Sequence, residues 1–212
     1  MSTAPLLDYC ESHFDSTTPV YIRSGFRWED AELFWLKKIL RHKKREGVES
    51  LEILELPLRD LYQFHWSVTG VKVPKGDSQK SDRTIIGREL MMLTKALAMA
   101  ISRDNRAVVY GRHIGSSSSG FQISPKDLMV FAQSYLGEKT ELRMPFLELS
   151  AEQLISGQGP ESIHFLSCLN PRGMSHCGEC FKCFGRKMSV FKAGILDTTI
   201  YARQESLLET SS

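Results

Sequence analysis

Four cysteines carry the most specific chemical signal in the chain. Cys168, Cys177, Cys180 and Cys183 follow the spacing C-x8-C-x2-C-x2-C, and thiols two residues apart can wrap one loop until their sulfurs converge on a single ion. Zn²⁺ takes four thiolates in a tetrahedron and keeps no position open for water, so the expected site is structural and activates no nucleophile. An iron–sulfur cluster is the alternative occupant of four thiolates, but the ferredoxin run, in which proline follows the last cysteine, is absent because Phe184 follows Cys183. His176, beside Cys177, reads as a neighbour of the site, and the distant Cys10 as a helix or core residue.

Composition limits what else the chain can be. With 212 residues, 42% of them hydrophobic, it has material for one domain with a proper core. Its 27 basic and 25 acidic side chains leave a formal charge of +2, too balanced to announce a nucleic-acid or membrane partner. No segment approaches the roughly 20 apolar residues of a membrane span, and the acids near the start do not suit a signal peptide. The expectation is a soluble, cytoplasmic protein in which five cysteines do not form a disulfide framework.

The elements that would position a site alternate along the chain. A helix over 5–14 precedes a short strand at 19–23 (PVYIR) and an amphipathic helix over 29–46, which ends in Arg41, Lys43, Lys44 and Arg45 at the negative end of its dipole. A strand at 51–56 (LEILEL), a polar loop at 72–83 and a long Leu, Met and Ala-rich helix over 84–102 follow. RAVVY at 106–110 is β-branched, and Ser124 with Pro125 opens a helix to residue 136. A last strand at 141–146 leads to a short helix over 151–155, for which Ser150 and Gln153 have capping-box spacing. This repetition predicts an α/β fold, a parallel sheet flanked by helices. Ligands of such sheets bind beyond the carboxyl ends of the strands, so the loops after Arg23, Leu56 and Tyr110 should share one ligand-facing edge, the serine-rich 116–119 among them.

Residues 165–194 (FLSCLNPRGMSHCGECFKCFGRKMSVFKAG), including Arg186 after the last cysteine, resemble the zinc-binding end of the 7-cyano-7-deazaguanine synthase family of PP-loop ATP pyrophosphatases. PVYIRSGFRWEDAELFWL (19–36), LYQFHWSVTG (61–70) and GRELMMLTKALAMA (87–100) are similar to further segments of that family, in order. The resemblance implies an adenine nucleotide alpha hydrolase-like fold. It also implies an ATP-dependent carbon–nitrogen ligase of queuosine precursor biosynthesis, with structural zinc, ATP and Mg²⁺ as cofactors. Such an enzyme adenylates the carboxylate of 7-carboxy-7-deazaguanine, lets ammonia displace AMP, then activates the amide in the same way to reach the nitrile. The implied partners are the deazapurine substrate and ATP, with a second copy in a homodimer as family members often form, and with no nucleic acid and no membrane. Arg88, whose planar fork suits a carboxylate or phosphate, would meet the ligand, Gly25 and Arg27 would border the nucleotide, and His65 and Trp66 would line the substrate pocket.

Three departures stand beside that resemblance. The family's first strand and its SGGxDS phosphate loop do not occur in the sequence, and Arg23-Ser24-Gly25 lacks the second glycine and the Asp-Ser pair. Glu89 stands where the family commonly has asparagine, and 116–124 lacks the acidic residue that usually follows this strand. The expected organisation is a PP-loop-like α/β domain at 1–160, truncated at its start, a zinc-binding helical segment at 161–204 and a flexible tail at 205–212. Two other functions compete with the ligase: a non-catalytic, zinc-stabilised binding or scaffold protein, and a tRNA-thiolating relative, which the balanced charge disfavours.

Overall fold

The computed structural model describes residues 3–42, 45–79, 81–114, 124–136, 140–157 and 165–202. The serine-rich loop, Lys43, Lys44 and the tail lie outside them. Helix α1 (Thr3–His13) leads to strand β1 (Val20–Arg23), helix α2 (Glu29–His42) and strand β2 (Glu52–Glu55). Two one-turn helices follow, α3 (Arg59–Tyr62) and α4 (Trp66–Thr69), before the long α5 (Arg88–Ser102) and strand β3 (Ala107–Val109). Helix α6 (Pro125–Leu136), strand β4 (Glu141–Arg143), α7 (Ala151–Ser156) and α8 (Phe181–Lys192) complete the order.

The fold is α/β with parallel strands flanked by helices, and the strands form two separate pairs. β1 lies parallel to β2, Val20 against Glu52 through Arg23 against Glu55. β3 lies parallel to β4, Ala107 against Glu141 through Val109 against Arg143. Glu141 N–H donates to Arg106 O and Arg143 O accepts from Tyr110 N–H, so residue 145 would be next in register toward β3. It is Pro145, which has no N–H to donate, and β4 is shorter than its apolar run. Helix α5 starts at Arg88 rather than at residue 84, because Gly87 turns the chain at φ +75° just before it. Ser150 and Gln153 form the capping box that their spacing implies, with Ser150 N–H donating to Gln153 Oε1 at 2.8 Å.

Two large cores carry most of the packing among the described residues, and a small third one joins Ile155 of α7 to Val190 of α8. One large core joins Phe26, Trp28, Trp66, Phe181 and the four clustered cysteines. The other packs Leu93 and Leu97 of α5 against Leu128 and Ala132 of α6 and Leu142 of β4. Helix α5 runs between them, since its Met91 and Met92 touch the first core. No described helix is long and apolar enough to cross a membrane.

Candidate functional site

The turn that carries Cys168 and Cys177 meets the start of α8, where Cys180 is the residue before the helix and Cys183 lies in its first turn. All four side chains are buried, and their sulfurs lie within 4.8 Å of one another. Four thiolates about 2.3 Å from one ion stand about 3.8 Å apart at the corners of a tetrahedron, and Cys177 and Cys183 are 3.9 Å apart. A disulfide would bring two sulfurs to about 2.05 Å. The backbone supplies the rest of a thiolate environment: Asn170 and Cys177 N–H donate to Cys168 Sγ at 3.3 and 3.2 Å. Glu179 and Cys180 N–H do the same for Cys177 Sγ at 3.4 and 3.3 Å. The donor set fits a metal such as zinc, held by Cys168, Cys177, Cys180 and Cys183, whose bound ion would lock this loop to α8.

The neighbourhood fixes that loop from outside. His176 Nε2 accepts the Ser167 N–H at 3.2 Å, and burial, with Arg186 nearby, pushes its ring pKa down to about 4, so it stays neutral beside the cysteines. Arg186 is fully buried in α8; its Nε donates to Thr199 Oγ1 at 2.9 Å and its guanidinium covers the Phe165 ring at 4.4 Å. Its charge, one helical turn from Cys183, opposes the negative charge of four thiolates around a divalent ion.

A cavity of about 880 Å³ lies between β1 and β3, lined also by α1, α2 and α5. Polar side chains line it at both ends of the strands, and those at the carboxyl ends form a connected group. There Tyr21 OH donates to Glu32 Oε2 at 2.8 Å and Tyr110 OH donates to Glu89 Oε1 at 2.7 Å. Arg112 stands 3.6 Å from the same Glu89 oxygen. Burial raises the Glu32 carboxyl above its usual range against the pull of Arg88, and raises both tyrosine hydroxyls. Lys182, reaching in from α8, is lowered to about 8 by burial and then by Arg88. Arg88 opens α5 at this end, lies over the rings of Phe26 and Trp28 at 5.4 and 5.6 Å, and its Nε is buried with no partner among the described residues.

Of the residues singled out by sequence, the structure brings Arg88 to this cavity and places the others elsewhere. Gly25, at φ +86°, follows β1, and the Glu29 carboxylate already accepts the Ser24 and Gly25 N–H groups at 2.7 and 3.0 Å. Arg27 donates to Asn170 Oδ1 at 2.6 Å and so ties the β1 turn to the cysteine loop. His65 precedes α4 and accepts the Ser67 N–H through Nδ1 at 3.3 Å. Trp66 is a core residue, edge-on to Phe181, with its Nε1 donating to Asp82 O at 3.0 Å. Glu29, Glu32, Tyr21, Tyr110 and Lys182 are cavity residues that the sequence reading did not select. The acids in the first turn of α2, just after a strand and a glycine, were the available signal.

A sequence model of the queuosine biosynthesis protein QueC matches residues 2–194. The chain is 26% identical over 172 residues to 7-cyano-7-deazaguanine synthases from two strains of Porphyromonas gingivalis, covering 76% of each chain. It is 23% identical over 174 residues to the enzyme of that name from a Marinomonas species, covering 77% of this chain and 79% of that one.

Proposed function

From the premise that the chain belongs to the family of the queuosine biosynthesis protein QueC, we propose that it is a 7-cyano-7-deazaguanine synthase-like ligase. Its substrate would be a 7-deazaguanine carboxylate bound at the carboxyl edge of β1 and β3. The observation that carries this reading is Arg88, a guanidinium with a partnerless buried Nε where the cavity meets the carboxyl ends of the strands. A planar fork in that position suits a carboxylate or phosphate oxygen better than an ammonium would. In the ligase reading the carboxylate attacks ATP and expels pyrophosphate, and ammonia then displaces AMP to give the amide. A second ATP activates the amide oxygen, and loss of AMP leaves the nitrile. Arg88 and Lys182 would hold anionic groups of substrate and nucleotide, while the cysteine centre keeps α8, and with it Lys182, in place.

One observation favours the non-catalytic alternative. The backbone amides that follow β1, the natural donors for a phosphate, are capped by Glu29. A phosphate cradle for ATP is therefore not available from this turn, and a zinc-stabilised binder of the heterocycle is the second reading.

Calorimetric titration of the zinc-loaded 212-residue protein with 7-carboxy-7-deazaguanine, alone and with ATP and Mg²⁺, separates the two. Saturable binding of both ligands, with AMP and nitrile detected by mass spectrometry, supports the ligase. Binding of the heterocycle without ATP turnover selects the binder, and Arg88→Met should weaken that binding tenfold or more. No binding of either ligand overturns both.

A further inference from the structure

Ammonia must lose all three of its protons on the way to a nitrile. The first leaves when the nitrogen attacks the acyl adenylate: the C–N bond forms, the C–O bond to AMP breaks, and AMP departs with that electron pair. The second leaves the amide nitrogen as the amide oxygen attacks ATP and pyrophosphate departs. The third leaves with the second AMP, when the N–H electron pair becomes the last bond of the nitrile as the C–O bond breaks. A positioned base that takes such protons contributes typically about a hundredfold or more to each step.

The acids at the carboxyl ends of the strands are engaged as acceptors. Glu29 accepts the Ser24 and Gly25 N–H groups, and Glu32 accepts the Tyr21 hydroxyl. Glu89 accepts the Tyr110 hydroxyl with Arg112 beside it, and a nearby guanidinium favours the ionised carboxylate. The chain after β3 adds an imidazole: His113 is half-buried and lines the cavity. The next residue anchors that turn, since Ile114 N–H donates to Leu149 O at 2.9 Å. His113 Nδ1 lies 2.9 Å from Ile114 O. A carbonyl only accepts, so Nδ1 carries the proton, and the lone pair of the neutral ring is on Nε2. Burial lowers the ring's pKa; Ile114 O and Glu152 of α7 act against that, and Lys182 of α8 adds to it. The ring is therefore a neutral base at pH 7. Lys182 also feels Arg88, Glu89 and Glu32, so a carboxylate shared by Arg88 and Lys182 lies at the corner that His113 borders.

We infer that His113 is the catalytic base for the nitrogen: its Nε2 takes the proton that ammonia sheds on forming the amide and the proton lost as the nitrile forms, and its half-exposed ring returns each to water. The inference rests on the ligase reading and goes beyond it, because it names the group that acts on the nucleophile rather than on the carboxylate.

The test separates activation of the carboxylate from capture of ammonia in the zinc-loaded 212-residue protein. Exchange of labelled pyrophosphate into ATP, dependent on 7-carboxy-7-deazaguanine, reads the first, and amide and nitrile formation read the second. His113→Gln, which removes the basic nitrogen, should lower amide formation about a hundredfold while exchange falls less than about threefold. Hydroxylamine, a nucleophile that is unprotonated at neutral pH, should narrow that gap tenfold or more, and added imidazole should restore amide formation to His113→Ala. Four outcomes would each overturn the role and leave carboxylate activation standing: amide formed by His113→Gln at the parent's rate, exchange lost in both His113 variants, a deficit that neither hydroxylamine nor imidazole narrows, or the expected pattern from Glu32→Gln instead. A parent that exchanges but forms no amide also overturns it. A parent without exchange overturns the ligase reading, and this role with it.

Discussion

At the residue scale, the half-buried Glu32 of the cavity should govern the pH dependence of folding. The Glu32 carboxyl is raised above 4.5, chiefly by burial, with Glu29 of α2 adding to the rise. Arg88 of α5 and the Tyr21 hydroxyl of β1 pull the other way, and Lys182 faces it from α8. The native chain then holds a proton over a pH window in which the unfolded chain has lost it. Stability from this group is therefore greatest below the unfolded value and falls as pH rises through the folded one. Glu32→Gln keeps an acceptor for Tyr21 and removes the charge. Melting followed across pH should show the variant more stable than the parent at pH 7, with the difference gone below about pH 4. A parent more stable at every pH would mean that attraction to Arg88 outweighs the burial of the carboxylate. The same scale shows what was legible beforehand. The cysteine centre could be read from spacing because its ligands are close in sequence. Arg27 could not be placed, because its partner Asn170 is 143 residues away, and Trp66 carries no mark in sequence that separates a pocket wall from a core ring.

At the element scale, the cysteine loop is built into the first core rather than appended to it. Phe181 N–H donates to Pro74 O at 3.0 Å, Lys75 bridges to Cys180, and Arg27 holds Asn170. All three tryptophans of the chain report on this region: Trp28 and Trp66 share a core with the cysteines, and Trp35 Nε1 donates to Met174 O at 2.7 Å. A structural metal contributes its binding energy to folding. Removing it with a strong chelator should lower the melting temperature and shift tryptophan emission to the red, and added zinc should restore both. Confirmed metal release with unchanged emission and melting would show that packing alone holds the loop. Helices and strands were legible from periodicity and turn residues, including α6 and the capping box of α7. The one-turn helices α3 and α4 were not, since four residues are too few to show a period.

At the scale of the whole molecule, the chain is two packed halves joined through α5. The sequence predicts a parallel α/β fold because strands and helices alternate, yet alternation says nothing of which strand edges pair, and the two pairs flank a cavity instead of meeting. Two-stranded sheets are marginal by themselves, so each half depends on its own core. Leu97, with no exposed surface, lies at the centre of the second core, on α5 opposite α6 and β4. Truncating a buried leucine to alanine costs about 2–5 kcal/mol, part of it from the cavity left behind. Leu97→Ala should therefore weaken the half built on β3, β4 and α6 more than the half that holds the cysteines. Urea unfolding can separate them: tryptophan emission follows the first core, and far-ultraviolet circular dichroism follows helices in both. Helical signal is expected to fall at lower urea than tryptophan emission in the variant, with the two probes closer together in the parent. Coincident shifts of both probes would show that α5 and the cavity walls bind the halves into one cooperative unit.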